Sequence, residues 1–586
     1  MSRPLRFRPL RSAERANLVS SASDGPEVRF TFAHELIRQT LVSGLSLPPL
    51  APARRGAGVY RRHPTHYTRG CGLGGNRPAA AVAGVAEKPS PGPQEIQARP
   101  GGRECNMAVR SPEEFRESLR DGRRVFMYGE LVEDVTTHPI LKISTETAAG
   151  DFVLTHSDDP AVRDLFVAPH PETGEPVSRY FVPPHTPEDL EKRLQMIGQS
   201  IRLTGGLPFG KDIGTDAMYA IMTTAQRMGK PEYVERAQSY LEHLRKNDLN
   251  LCGAITDVKG DRGKPPAQQA HPDYYVHVVD QNEDGIVVRG AKIHITGAPV
   301  ANDILVLPTR QMRENEAEYS VAFAIPANAK GVSMVCRPAR GERGPSEFPT
   351  ALPVRGLVEA MIIFDDVFVP WEHVFMCGEW QFSMLLAYTF ATYHRFTAVS
   401  YKIPAVEILA GCAVAMAEMN GIERAGHIRA KLVDIAAYVE TLKALATAAV
   451  KSPIMYGDVA VPNPLITNMA KLHFASHYHD IIKLIQDISG GIITTMPTYL
   501  DWSNEELHKH LEHYLGGSPK YSTEERMRMI ALTHRMVASA ESANMEVVTV
   551  HGEGSMEAQR MMIHAESPFK EYRNLALTAA GIPPRG

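Results

Sequence analysis

The chain has 586 residues, of which 43% are hydrophobic and 22% charged, with a formal net charge of −4 and a sequence pI near 6.7. That length allows several domains with sizeable cores. The charge balance gives no reason to expect nucleic acid or an anionic membrane surface as a partner. Six cysteines (Cys71, Cys105, Cys252, Cys336, Cys377 and Cys412) are scattered without a C-x-x-C pair, so neither a disulfide framework nor a zinc site is expected. No run of about 18 or more apolar residues stands out, and the N-terminus lacks an apolar signal core. A cytoplasmic protein without a membrane partner is the expectation.

Residues 1–106 are rich in Arg, Pro, Gly and Ala, as in the stretches Pro48 to Gly56 and Pro89 to Gly102. Such a composition buries too little apolar surface to order itself, so this part is read as a disordered or non-native extension. One island, Phe30 to Leu45, is expected as a helix. Met107 is read as the natural start, because Ser111-Pro112-Glu113-Glu114 opens a helix. From 107 to 250 the pattern is helical, with apolar residues at three- and four-residue spacing over Asp212 to Arg227 and Pro231 to Arg245. From 251 to 378 the period changes to two. Tyr274 to Val279, Ile304 to Pro308, Tyr319 to Ala324 and Leu357 to Val369 read as strands between Gly and Pro punctuation. Long helices are predicted over 379–420, 422–450, 463–490 and 522–550. The order gives an α+β multidomain chain: an N-terminal helical domain, a middle β-barrel-like domain and a C-terminal helical bundle.

Two stretches of the middle domain carry the most information. Ala254-Ile255-Thr256-Asp257-Val258-Lys259-Gly260-Asp261-Arg262-Gly263 is a turn-rich loop of backbone donors, hydroxyl and charge. Asp284 to Gly297 reads as a hairpin: Asp284-Gly285 starts a turn, Val287-Val288 continues a strand and Gly290 breaks it. Beyond it Ile293 and Ile295 alternate with His294 and Thr296. A polar loop beside a strand ending in Thr-Gly can hydrogen-bond the rim of a flat heteroaromatic cofactor, although an ordinary hairpin with a charged turn has the same text. The pair resembles the flavin-binding middle domain of the 4-hydroxyphenylacetate 3-hydroxylase / 4-hydroxybutyryl-CoA dehydratase superfamily, flavoproteins built like acyl-CoA dehydrogenases. The resemblance runs over 107–586. It implies FAD between the β-domain and the bundle, with Thr256, Lys259, Gly260, Asp261, Arg262, Thr296 and Gly297 lining it. Gly490-Gly491 reads first as a helix stop. By resemblance the pair contacts the adenine-side half of a flavin held by the neighbouring subunit of a homotetramer. No Rossmann or P-loop glycine motif is present.

Both sets of reaction-specific residues known from the superfamily are incomplete here. Tyr393-His394-Arg395 resembles a dehydratase motif in which the His, and a Cys seven positions on, ligate an iron–sulfur cluster. The later position is Tyr401, and the other two cysteine positions are Pro208 and Asp212. Without those thiolates no cluster is expected, and no other metal site. Of the two dehydratase carboxylates, one matches Glu359, within an apolar run where a lone carboxylate is costly. The other, three residues before the His551-Gly552-Glu553-Gly554-Ser555 element, is Val548. The Arg and Tyr with which the aromatic hydroxylases fix phenolate are Ile213 and Ala217.

The leading expectation is a two-component monooxygenase, supplied with FADH2 by a separate flavin reductase, that uses molecular oxygen on a phenol or other small aromatic. His394, Arg395, Glu359 and Thr296 are its candidates for proton delivery or orientation, and Lys402 and His551 for substrate contact. A cluster-free dehydratase or isomerase, and a flavin- or acyl-CoA-binding protein without catalysis, stand beside it.

Overall fold

The computed structural model describes residues 19–24, 27–32, 109–204, 210–337, 344, 346–350 and 356–585. The chain divides into two units, Met1–Gly92 and Pro93–Gly586. In the first, Val19–Asp24 and Glu27–Phe32 form an antiparallel hairpin. This corrects the expected helix at its first three residues. Phe30-Thr31-Phe32 continues the period-two text Glu-Val-Arg-Phe-Thr-Phe, which suits a strand. The rest of the expected helix lies outside the described residues, as does Met107.

The second unit opens where the sequence placed a helix start. Ser111 caps Pro112–Ser118, its side chain accepting from Glu114 N while the Glu114 carboxylate accepts from Ser111 N. The helices Pro187–Thr204, Lys211–Met228 and Pro231–Asn247 follow. The segment before them is not wholly helical. Val125–Met127 runs parallel to Val332–Arg337 and so joins the middle sheet.

Among the described residues the middle region has a six-stranded and a four-stranded sheet. The larger runs Glu130–Leu131, Val125–Met127, Val332–Arg337, Glu359–Pro370, Gly285–Thr296, His277–Gln281. The smaller runs Val374–Cys377, Val321–Pro326, Asp303–Val306, Leu251–Ala254. The strand Gly285–Thr296 is continuous through Gly290, which does not break it. Gly290 sits at φ +133°, and a Cβ there would meet Tyr275 O at 2.7 Å, so glycine lets the segment that leads into the neighbouring strand approach without ending this one. The register sets Thr296 opposite Glu359, placing both at one end of the paired strands.

The C-terminal part is a bundle around a 37-residue helix, Ser383–Met419. The helices Pro464–Ser489, Lys211–Met228, Pro187–Thr204 and Gly426–Lys451 pack against it. This central helix is long and apolar enough by composition to cross a membrane, but most of it is buried inside the fold. A helix apolar on all sides is explained by neighbours on all sides. The helix predicted over 522–550 is two, Thr523–Val537 and Ala540–His551, because Ser539 caps the second through Ser542 N. A four-residue turn then leads to Met556–Glu566.

Candidate functional site

The site forms where three elements meet: the Thr296–Glu359 end of the large sheet, the middle of the central helix, and the turn after Ala540–His551. Thr296 Oγ1 donates to Glu359 Oε1 at 2.8 Å. Burial raises the Glu359 carboxyl above its usual range and the nearby Glu553 charge adds to the rise, while the Thr296 bond opposes it.

Glu553 is the centre of the second half. Its side chain is 5% exposed and its backbone is left-handed, at φ +59°. Holding a non-glycine residue there costs energy that the surrounding contacts must supply. Lys402 Nζ donates to Glu553 Oε2 at 2.8 Å and to Tyr401 OH at 2.8 Å, and Tyr401 OH donates to Glu553 Oε1. Lys471 Nζ lies 3.2 Å from the same Oε2 and donates to Thr549 O at 2.7 Å. Arg395 Nε donates to Glu553 O at 2.9 Å and Arg395 Nη1 to Asn468 Oδ1 at 2.6 Å. Gly554 is required beside it, because at φ +93° a Cβ would come within 2.8 Å of Arg395 Nη2.

Two buried lysines thus share one carboxylate, and Arg395 holds the carbonyl of the same residue. Although burial works against the charge, Lys402, Lys471 and His394 hold the Glu553 carboxyl far below its usual range. Burial, reinforced by repulsion from Lys471, brings Lys402 down to about 7 despite Glu553. Lys471 is lowered by burial as well. A carboxyl tending to stay protonated, a carboxylate held ionised and a lysine near neutrality sit within one site, a combination suited to moving protons at neutral pH.

His394 occupies the next turn of the central helix. Its Nδ1 is 3.3 Å from Asp216 Oδ2, its ring stacks on Phe390, and its side chain keeps 16% exposure. Asp216 comes from the helix Lys211–Met228. The four-residue step from Asp212 sets both acids toward the central helix, and both are buried. Asp212 Oδ2 has no hydrogen-bond partner among the described residues, and burial raises its carboxyl well above the usual range.

The loop over 256–262 lies against the strand that ends in Thr296. Ile293 N donates to Thr256 O at 2.8 Å. Asp257, buried, accepts from Val276 N and pairs with Lys292 Nζ at 2.8 Å, pinning the loop to the sheet. Lys259 and Gly260 are both left-handed, and a Cβ on Gly260 would strike Tyr274 at 2.3 Å. Burial lowers Lys259, and repulsion from Arg262 and Arg310 adds to it. Asp261 is exposed, accepting from Gly263 N.

The structure therefore brings together Thr296, Glu359, His394, Arg395 and Lys402. Thr256, Lys259, Gly260, Asp261, Arg262 and Gly297 belong to the same sheet edge, but no described contact ties them to that cluster. Gly490 and Gly491 are exposed with open space where a Cβ would stand. They lie about 28 Å along their helix from Lys471, so one chain does not bring them to the cluster. His551 is exposed and has no described contact with the cluster. The side chain that enters from its element is Glu553. Sequence reasoning missed Glu553, Lys471, Asp216 and Arg193, whose Nη2 donates to Asp216 Oδ1 at 2.8 Å. Lys471 had a signal: it falls on the buried stripe of its helix with Asn468, Phe474 and Tyr478, where a lysine needs a partner.

Comparison with known proteins is consistent across sequence and structure. Residues 111–376 match the family described as 4-hydroxyphenylacetate 3-hydroxylase N terminal, and residues 384–581 its C-terminal counterpart. The chain is 31% identical over 492 residues to the 4-hydroxybutyryl-CoA dehydratase/vinylacetyl-CoA-Δ-isomerase of Clostridium aminobutyricum, covering 80% of this chain and 99% of that one. It is 32% identical over 449 residues to the 4-hydroxyphenylacetate 3-monooxygenase oxygenase component of Thermus thermophilus, covering 75% and 90%. A solved structure of the oxygenase component of 4-hydroxyphenylacetate 3-monooxygenase, complexed with FAD and 4-hydroxyphenylacetate, matches with a TM-score of 0.72. It is 28% identical, and the match covers 80% of this chain and 99% of that one.

Proposed function

Because the chain belongs to the 4-hydroxyphenylacetate 3-hydroxylase family, whose two patterns together span most of it, we propose that it is an FADH2-dependent monooxygenase. Its substrate is a phenol or other small aromatic, and a separate flavin reductase supplies the reduced cofactor. The observation that carries this over a dehydratase is the ion cluster itself. A dehydratase-type iron–sulfur cluster would need ligands at Asp212, His394 and Tyr401, and at Pro208, which lies outside the described residues. Tyr401 is instead bonded to Lys402 and Glu553, His394 to Asp216, and Asp212 is a buried oxygen ligand at best. That donor set does not fit an iron–sulfur cubane, and no step is assigned to one.

The residues present do fit a flavin. Lys259 is repelled by both Arg262 and Arg310, and the acid close to it, Asp257, is already paired to Lys292. Such a surplus of cations suits a pyrophosphate. Thr296 offers a half-buried hydroxyl at the strand end, and the open backbone at Gly490 and Gly491 suits close approach from a neighbouring subunit. The chemistry supplied by bound FADH2 is the electron pair that activates dioxygen. Within the site His394 holds or moves a proton beside the substrate, Lys402 supplies a group brought down to about 7, and Glu359 supplies a carboxyl raised above its usual range by burial. Arg395 shapes the Glu553 turn and so acts through it.

A second reading, a cluster-free relative of 4-hydroxybutyryl-CoA dehydratase, is favoured by one observation, the raised carboxyl of Glu359 bonded to Thr296. The two are separated by purification without oxygen followed by a spectrum and iron and sulfide analysis. Reductase-coupled oxygen consumption with phenols follows. Flavin without iron, and phenol-dependent oxygen uptake with a hydroxylated product, is the expected result. Stoichiometric iron and sulfide, or turnover of vinylacetyl-CoA without oxygen, would overturn the proposal.

A further inference from the structure

The central helix turns His394 toward a buried acid that the hydroxylation reading does not itself require. We propose that Asp216 is a positioning residue: it fixes the proton of neutral His394 on Nδ1 and leaves Nε2 as the proton-accepting atom of the site. Three observations converge on it. Asp216 is fully buried, and its Oδ2 faces His394 Nδ1 at 3.3 Å. Its other oxygen, Oδ1, is held by two donors from different helices, Arg193 Nη2 at 2.8 Å and Thr397 Oγ1 at 2.9 Å. Phe390, one helical turn before His394, stacks on the imidazole with ring centroids 5.0 Å apart and fixes the plane of the ring.

The polarity of these bonds settles the tautomer. Arg193 and Thr397 can only donate to Oδ1 in this arrangement, so the carboxylate cannot turn its face. Oδ2 of an ionised carboxylate only accepts, so Nδ1 must carry the hydrogen. Nε2 then keeps its lone pair, and no hydrogen bond to it is made among the described residues. The charged groups facing the ring are Asp216 and, behind it, Arg193 from the helix packed on one side. On the other side stands the carboxylate of Glu553, from the turn after Ala540–His551.

The consequence for chemistry rests on the proposed hydroxylation; the orientation of the ring does not. With a phenol in the site, Nε2 takes the hydroxyl proton. The O–H bond breaks, its electron pair stays on oxygen, an N–H bond forms, and the imidazolium is balanced by Asp216 and Glu553. Arg193 is as much part of the device as Asp216, since without it Thr397 alone holds Oδ1 away from the ring.

Asp216→Asn gives a sharp test because the two donors dictate how the amide must sit. Its carbonyl oxygen stays under Arg193 and Thr397, its NH2 replaces Oδ2 and donates to Nδ1, and the ring proton moves to Nε2. The general outcome of such a swap is a wrong tautomer and a loss of catalysis of up to about 10,000-fold. The experiment is nitrogen NMR of histidine-labelled protein, with the His394 signal assigned by its loss in His394→Gln. The expected result is an Nδ1–H ring in the unsubstituted protein and an Nε2–H ring in Asp216→Asn. An Nε2–H ring in the unsubstituted protein, or an unchanged ring in a folded Asp216→Asn, would overturn the proposal. The first measurement does not need Asp216→Asn, so it decides even where that variant fails to fold. Neither needs a substrate, so a wrong substrate class shows as silent oxygen uptake with the tautomer intact.

Discussion

Lys402 shows how strongly one residue's surroundings alter its chemistry. Its ammonium shares Glu553 with Lys471 in a buried setting, and its value falls to about 7 from the usual 10.5. In the unfolded chain the lysine stays protonated up to the usual value. Between pH 7 and 10.5 the unfolded state therefore binds more protons, and this group's contribution to stability rises with pH across that window. Below pH 7 its burial is a constant penalty. The stability difference between the unsubstituted protein and Lys402→Met should shift in favour of the former as pH rises from 7 to 10.5, by on the order of a few kcal/mol. Urea midpoints across that range check it, and parallel curves would refute it. The same scale carries a prediction for Thr296. Thr296→Val removes a hydrogen bond to Glu359 and a hydroxyl from the strand end, and should weaken FAD retention several-fold with the fold intact. Flavin fluorescence titration reads this directly, and unchanged affinity would count against placing the flavin there.

At the scale of elements, the site depends on how closely the helix Lys211–Met228 seats on the sheet. Gly214 makes that approach possible: a Cβ on it would lie 2.1 Å from Leu251 Cβ, on the first residue of the strand Leu251–Ala254. Gly214 stands midway between Asp212 and Asp216, so pushing the helix outward also moves the acid that holds His394. Gly214→Ala should cost about 1–3 kcal/mol by overpacking, seen as a lower urea midpoint, and should disturb the His394 ring signal. A variant as stable as the parent would show that helix and strand can separate freely. This contact had no signal in the sequence, where Gly214 reads as an isolated glycine in a helical pattern. The helix itself was legible, since its apolar spacing is regular and Gly229 stands at its left-handed end.

At the scale of the whole molecule, the C-terminal surface bears on assembly. The last helix, Phe569–Ala579, has no buried residue, yet Phe569, Tyr572 and Leu575 are large and exposed. Exposed apolar side chains grouped in this way mark interfaces. Together with the bare backbone of Gly490-Gly491, they support the expectation of a homo-oligomer, most simply a tetramer. Sedimentation at micromolar concentration should give a single species several times the 64.6 kDa of one chain. A monomer would remove the argument for a flavin site shared between subunits.

The order of helices, strands and bundle was readable from the sequence, because hydrophobic period is a local property and each long element declares it within a few turns. The family was readable for a similar reason, from short contiguous texts such as Thr256 to Arg262 and Tyr393-His394-Arg395. The lost thiolates at Asp212 and Tyr401 were visible too, since identity at a position needs no geometry. What replaced them was not. Glu553 stood in a quoted element between two glycines, and only the fold turns it inward while leaving His551 in solvent. Lys471 and Asp216 reach the site from helices far away in sequence, and their partners are fixed by packing. Ion pairs of this kind depend on distances of a few ångströms between side chains remote along the chain, and no local pattern encodes such distances.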